Sequence, residues 1–123
     1  MVSSSTVFKL IVVALVCTMV VTDAAKLFCR KRSIPPFPCL GYLTSGKDAS
    51  YDPSCTAALA ILKSSEQSTP ILVKPDCDCW NQAATASIFG FPLYNHTAMA
   101  NLSKKSNVVF PFKLDGTTNC DSL

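Results

Sequence analysis

The chain has 123 residues, 49% of them hydrophobic, with 11 lysines and arginines against 8 acids and a net charge of +3. That length describes one domain, and so modest a charge falls well short of the basic footprint of a nucleic-acid-binding protein. One histidine, His96, with no nucleophile placed beside it gives no catalytic triad, so neither an enzyme nor a cofactor is expected.

Lys9 precedes the apolar run Leu10-Ile11-Val12-Val13-Ala14-Leu15-Val16, which continues through Met19-Val20-Val21 to Thr22-Asp23-Ala24-Ala25. A charged start, a short apolar middle and small residues at the end describe a secretory signal peptide. The run is shorter than the ~20 residues a spanning helix needs. Small residues permit cleavage after Ala24 or Ala25; the second leaves residues 26–123 as the mature domain, secreted to the extracellular space or cell wall. Cys17 leaves with the signal. Cys29, Cys39, Cys55, Cys77, Cys79 and Cys120 remain, and an even set in a short exported chain reads as three disulfides rather than metal ligands. Arg30-Lys31-Arg32 is the dense basic patch: a solvated face, or one that favours anionic membranes and cell-wall polymers.

Pro35, Pro36 and Pro38 limit any helix after Cys29 to a short one that ends before Ile34. Residues 43–50 are polar and turn-like. Asp52-Pro53-Ser54 starts a helix, with an Asp cap and Pro at the first position, and Cys55, Leu59 and Leu62 recur at helical spacing up to Lys63. Residues 64–69 read as a polar break. A second helix starts near Pro75-Asp76, carries the stripe Cys77, Trp80, Ala84 and Ile88, and stops at Gly90 and Pro92. Asp76 and Asp78 read as helix-start carboxylates that suit the dipole.

A third helix runs from Asn95 or Thr97 to Lys105, with Met99 and Leu102 inward and two lysines at its end. Asn95-His96-Thr97 and Asn101-Leu102-Ser103 are glycosylation sequons. Beyond them Phe110, Phe112 and Leu114 alternate as in a strand, but a lone strand has nothing to pair with. The expectation is an extended tail laid across the helices and pinned by Cys120. The class is all-α: a small disulfide-stapled bundle of about four helices with an extended C-terminal tail.

Nine residues separate Cys29 from Cys39, fifteen lead to Cys55, twenty-one to Cys77, one to Cys79 and forty to Cys120. With Gly41-Tyr42-Leu43-Thr44-Ser45-Gly46 before Pro53-Ser54-Cys55, and Phe110-Pro111-Phe112-Lys113-Leu114 in the tail, this pattern resembles the eight-cysteine framework of plant non-specific lipid transfer proteins, type 1-like and divergent. Thr56 and Ser106 stand where two further framework cysteines belong, and in the family those two bond each other. One whole bridge is thus absent and no orphan thiol is left. Six cysteines allow 15 pairings. Residues two apart on a helix point about 200° apart, so Cys77 and Cys79 need separate partners. The resemblance implies Cys39–Cys55 and, with polar Asp78 between the pair, Cys29–Cys79 and Cys77–Cys120.

The resemblance further implies a non-catalytic, monomeric carrier of fatty acids, phospholipids or other long-chain lipids, with an internal hydrophobic tunnel that holds an acyl chain at ~0.8 kcal/mol per methylene. Its lining would come from Leu59, Leu62, Trp80, Ala84 and Ile88 on the first helices, and from Met99, Leu102, Phe110, Phe112 and Leu114 beyond. The family's polar gate, an Asp-Arg pair before Cys-x-Cys and a tail tyrosine, is missing: Pro70-Ile71-Leu72-Val73-Lys74-Pro75 and Phe112 stand there instead. Lys74, assisted by Lys113, is the remaining head-group candidate, and little head-group contact is expected. Two other readings compete. One is a protease or α-amylase inhibitor of the related helical class, through residues 34–37 or 45–53 with Lys47. The other is a defence or adhesion protein acting through Arg30, Lys31 and Arg32.

Overall fold

The computed structural model describes residues 24–123. The signal expected over residues 1–25 lies, except for Ala24 and Ala25, outside the described residues. The chain divides into two compact units, Met1–Lys31 and Arg32–Leu123. In the first, residues 24–31 are helical (α1). The second contains the helices α2 (Leu40–Ser45), α3 (Pro53–Ser68), α4 (Val73–Thr85) and α5 (His96–Ser106) and a small hairpin, β1 (Ser87–Ile88) with β2 (Phe91–Pro92). The fold is all-α apart from that hairpin. No helix among the described residues is long and apolar enough to cross a membrane.

Local chemistry sets the helix starts. The Asp52 carboxylate accepts from the Ser54 N–H at 2.8 Å, and Pro53 at the first position has no N–H to leave unpaired. The Asn95 side chain likewise accepts from the Ala98 N–H at 2.9 Å and caps α5, whose far end turns on Asn107 at φ 58°. The expected break over residues 64–69 does not occur: α3 continues to Ser68 and stops at Thr69, the residue before Pro70. Ser, Glu and Gln are acceptable helix residues, and Glu66 extends the buried stripe Cys55, Leu59, Leu62. At the other helix the expectation overshot. α4 begins at Val73, tolerates Pro75 in its first turn, and ends at Thr85. Ile88 is therefore not on its stripe but on β1, half exposed.

The core of the second unit gathers Leu43, Cys55, Leu59, Cys77, Trp80, Met99 and Leu102, all without accessible surface. Two bridges cross it, Cys39–Cys55 and Cys77–Cys120. Cys29 and Cys79 are also disulfide-bonded. Beyond α5 the chain is extended and alternates: Val108, Phe110, Phe112 and Leu114 are buried, while Val109, Pro111 and Lys113 are exposed. Among the described residues no strand pairs with it. The tail is fixed instead by the Cys77–Cys120 bridge and by Asn81 of α4, whose amide donates to the Thr118 carbonyl at 2.9 Å. Gly116, at φ 83°, lies so close to α4 that a Cβ there would come within 2.4 Å of the Ala84 Cβ.

Candidate functional site

An open cleft of about 620 Å³ lies between α5 and the tail. Ala100 and Ser103, one turn apart, form its helical wall; Phe110, Pro111, Phe112, Lys113, Leu114, Asp115 and Thr118 form the other. The small residues on α5 make the space, because larger side chains there would meet the tail. The Phe110 and Phe112 rings are 5.6 Å apart at a tilt of 34°, which puts an apolar floor beneath the opening. The rim is polar. The Thr117 hydroxyl donates to Asp115 at 2.6 Å and holds that carboxyl below the usual carboxylate range, with Lys113 adding to the effect. The Lys113 N–H donates to the Thr118 hydroxyl at 2.8 Å and closes the turn that carries the rim.

Of the expected lining, Phe110, Phe112 and Leu114 border this cleft. Leu59, Trp80, Met99 and Leu102 lie deeper. They are in the core and have no accessible surface. Leu62 is buried on α3, Ala84 sits half-buried beneath Gly116, and Ile88 is on the hairpin. Lys74 is not at the cleft: its ammonium pairs with Asp121 at 3.2 Å, in an exposed position. Lys113 is the lysine at the rim. Ala100, Ser103, Asp115 and Thr118 were not expected; the signal for the first two was a small-residue i, i+3 pair beside the Met99–Leu102 stripe.

The two positions that lack the framework cysteines are satisfied by hydrogen bonds. Thr56 shares one with the Tyr51 hydroxyl. Ser106 is buried, donates to the Ser103 carbonyl at 3.4 Å and accepts from the Val108 N–H at 3.2 Å. Among the described residues no disulfide ties the end of α5, which is held there by packing, by the Ser106 hydrogen bonds and by an ion pair of Lys105 with Asp48 at 3.2 Å.

In each charged motif one residue turns inward, Arg32 and Asp76, while Arg30, Lys31 and Asp78 are exposed. Arg32 is not a free surface cation. Its Nε and Nη2 donate to the two oxygens of Asp76 at 3.0 and 2.7 Å, and Nη1 donates to the Ser65 hydroxyl at 2.6 Å. Asp76 stands in the first turn of α4, as expected, but it has no accessible surface and serves as a buried partner for Arg32. Beside it Glu66 is buried with neither oxygen meeting a donor. Desolvation, then the neighbouring Asp76, pushes the Glu66 carboxyl up to about 8. The protonated acid can then donate toward Asp76. Of the inhibitor loops, Ile34 and Pro36 are buried, which leaves Phe37 exposed in the first, while Lys47 is exposed in the second. Asn101 is exposed on α5, and Asn95 is exposed while serving as its cap. No group of three His, Cys, Asp or Glu that could hold a metal occurs among the described residues.

No family profile and no solved structure matches the chain. Curated relatives do. Non-specific lipid-transfer protein 2 of Brassica napus is 31% identical over 118 residues, which cover 94% of this chain and 95% of that protein. Non-specific lipid-transfer protein D of Brassica oleracea var. italica is 32% identical over 84% of this chain and 82% of its own length. Non-specific lipid-transfer protein 3 of Prunus dulcis is 31% identical over the whole of this chain and 99% of its own length. With an all-α, disulfide-bonded fold and near-complete coverage on both sides, the chain belongs to the plant non-specific lipid-transfer protein family.

Proposed function

We propose that this protein is a secreted, non-catalytic, monomeric carrier of long-chain lipids that takes up an acyl chain through the cleft between α5 and the tail. The observation that carries the reading is that cleft: about 620 Å³, floored by Phe110, Phe112 and Leu114, in a chain whose relatives are named lipid-transfer proteins. Burial of methylenes against the aromatic floor drives uptake and does not read the head group. Because the core residues have no accessible surface, a full-length chain advances by parting α5 from the tail, the place where Ser106 replaces a covalent tie. Lys113 at the rim meets an anionic head group at the mouth. Export follows from the segment at residues 1–25, into the apoplast or cell wall, with Asn95 and Asn101 as glycan acceptors.

The test is a titration of the oxidised mature protein with a fluorescent fatty acid, in parallel with Ala100→Trp. Residue 100 is exposed on the cleft wall, so the bulky indole fills the opening without entering the core. Saturable micromolar binding that weakens about tenfold or more in the variant is expected, as for loss of a few buried methylenes. Equal binding by the two proteins would place the lipid elsewhere, and no binding by either would mean a filled, closed fold.

A further inference from the structure

The β1–β2 hairpin serves none of the contacts described above. Ser87 pairs with Pro92 and Ile88 with Phe91, and its tip is Phe89-Gly90. Ile88 is 53% exposed, Phe89 93% and Phe91 74%. Phe89 adopts φ 52° and Gly90 φ 80°. Two successive positive φ values are what a primed two-residue hairpin turn requires, and such turns favour asparagine or glycine at the first position. Phenylalanine is strained there, and almost fully exposed it recovers no packing within the chain. A bulky apolar residue held at the crest of a turn at this cost points to a partner outside the chain.

We propose that this hairpin is a membrane-docking element that seats Ile88, Phe89 and Phe91 in the apolar layer of a phospholipid bilayer, whatever the charge of its head groups. Three observations favour a bilayer over a protein partner. Between Asp78 and His96 no residue carries a charged side chain, so insertion desolvates none there. The hairpin's backbone is bonded to itself, and the Leu93 N–H reaches the Ala86 carbonyl at 2.9 Å, which suits a medium with few hydrogen-bonding groups. The three side chains offer on the order of 400 Å² together, taking about 200 Å² for a large apolar residue. A stable protein interface needs about 800 Å² per partner. A shallow apolar anchor is enough for reversible docking, and it complements the carrier reading, on which it rests, by bringing the cleft to donor and acceptor membranes.

The experiment is flotation of the oxidised protein with vesicles of phosphatidylcholine alone, compared with Phe89→Asn/Phe91→Gln. Both positions are exposed, and asparagine suits the positive φ, so the variant keeps the fold. The wild-type protein is expected to float, and to do so equally in about 1 M salt, where charges are screened within about 3 Å. The variant loses about tenfold or more of that binding, while both proteins bind fluorescent fatty acid equally in solution without vesicles. Phe89→Trp gives an independent signal: its emission shifts to the blue on vesicle addition, against a constant contribution from buried Trp80. Failure of the wild-type protein to float, equal flotation of the variant, or loss of flotation in salt would overturn the proposal. So would a wild-type dimer in sedimentation that the variant dissolves, because the hairpin would then serve a second copy. Flotation without fatty-acid binding would support the docking element and sink the carrier reading alone.

Discussion

The segment from Arg32 to Thr85 and the segment from Ala86 to Leu123 spend their apolar residues differently. In the first, α3 and α4 turn Cys55, Leu59, Cys77 and Trp80 inward until no accessible surface is left, two acids, Glu66 and Asp76, are buried with Arg32, and the exposed apolar residues Phe37, Ile61 and Ile71 are scattered singly along the chain. In the second, Ile88, Phe89, Phe91 and Val109 face outward, and the buried side chains of the tail border an open cleft. Close packing and a buried ion pair make a segment rigid and specific. Single exposed apolar residues are ordinary, whereas several gathered on one hairpin suit a place where something apolar arrives. Under the proposed uptake the first segment would serve as the frame and the second as the lipid-facing part, and the absent bridge would have joined the two, since Thr56 lies in the first and Ser106 in the second.

The largest effect should come from breaking the frame at its charge cluster. Asp76→Ala leaves Arg32 without its bidentate partner and should cost about 3–5 kcal/mol in denaturant unfolding, toward the lower end because Arg32 reaches solvent. A loss below about 1 kcal/mol, typical of surface pairs, would mean that the cluster does not belong to the frame. The next effect tests how the two halves are joined. Cys77→Ala with Cys120→Ala removes the bridge that pins the tail, at about 2–5 kcal/mol. It should abolish fatty-acid binding while far-ultraviolet circular dichroism still reports the helices. Retained binding would show that the tail does not form the site.

A smaller effect is the pH dependence of the frame. Glu66 has a folded-state pKa raised by burial to about 8, so the folded protein holds that proton more tightly than the unfolded chain. Its contribution is fully present below the ordinary glutamate range and is lost as pH rises through about 8. The melting temperature should therefore be several degrees lower at about pH 9 than at about pH 5. Glu66→Gln should remove most of that slope; a slope that persists in the variant assigns it to another group. The smallest effect concerns head groups. Lys74 pairs with Asp121 in solvent, away from the cleft, so Lys74→Ala should leave fatty-acid affinity within about threefold. A large drop would show that the lysine reaches the ligand.

What could be read from the sequence was local. Asp52-Pro53 and Asn95 announce helix starts because a cap needs only its own neighbours. The alternation of Phe110, Phe112 and Leu114 marks a tail with one side buried, and lack of a pairing strand distinguishes it from a sheet. The six cysteines and the tail motif identify the family. What could not be read was tertiary. Arg32 and Asp76 are 44 positions apart, and three adjacent basic residues give no sign that one turns inward. Ile88 continues a helical period on paper, but a turn at Phe89-Gly90 with paired flanks takes it off the helix. The core stripes are legible as buried, yet whether buried residues enclose a space or fill it depends on packing that periodicity does not encode.

The claim that the two halves divide frame from lipid site is tested most directly by amide hydrogen exchange with and without a bound fatty acid. Added protection in α5 and across residues 107–118, with α3 and α4 unchanged, is the predicted result. Protection that grows in α3 and α4 while the tail exchanges as before would contradict it, and would place the lipid within the core instead.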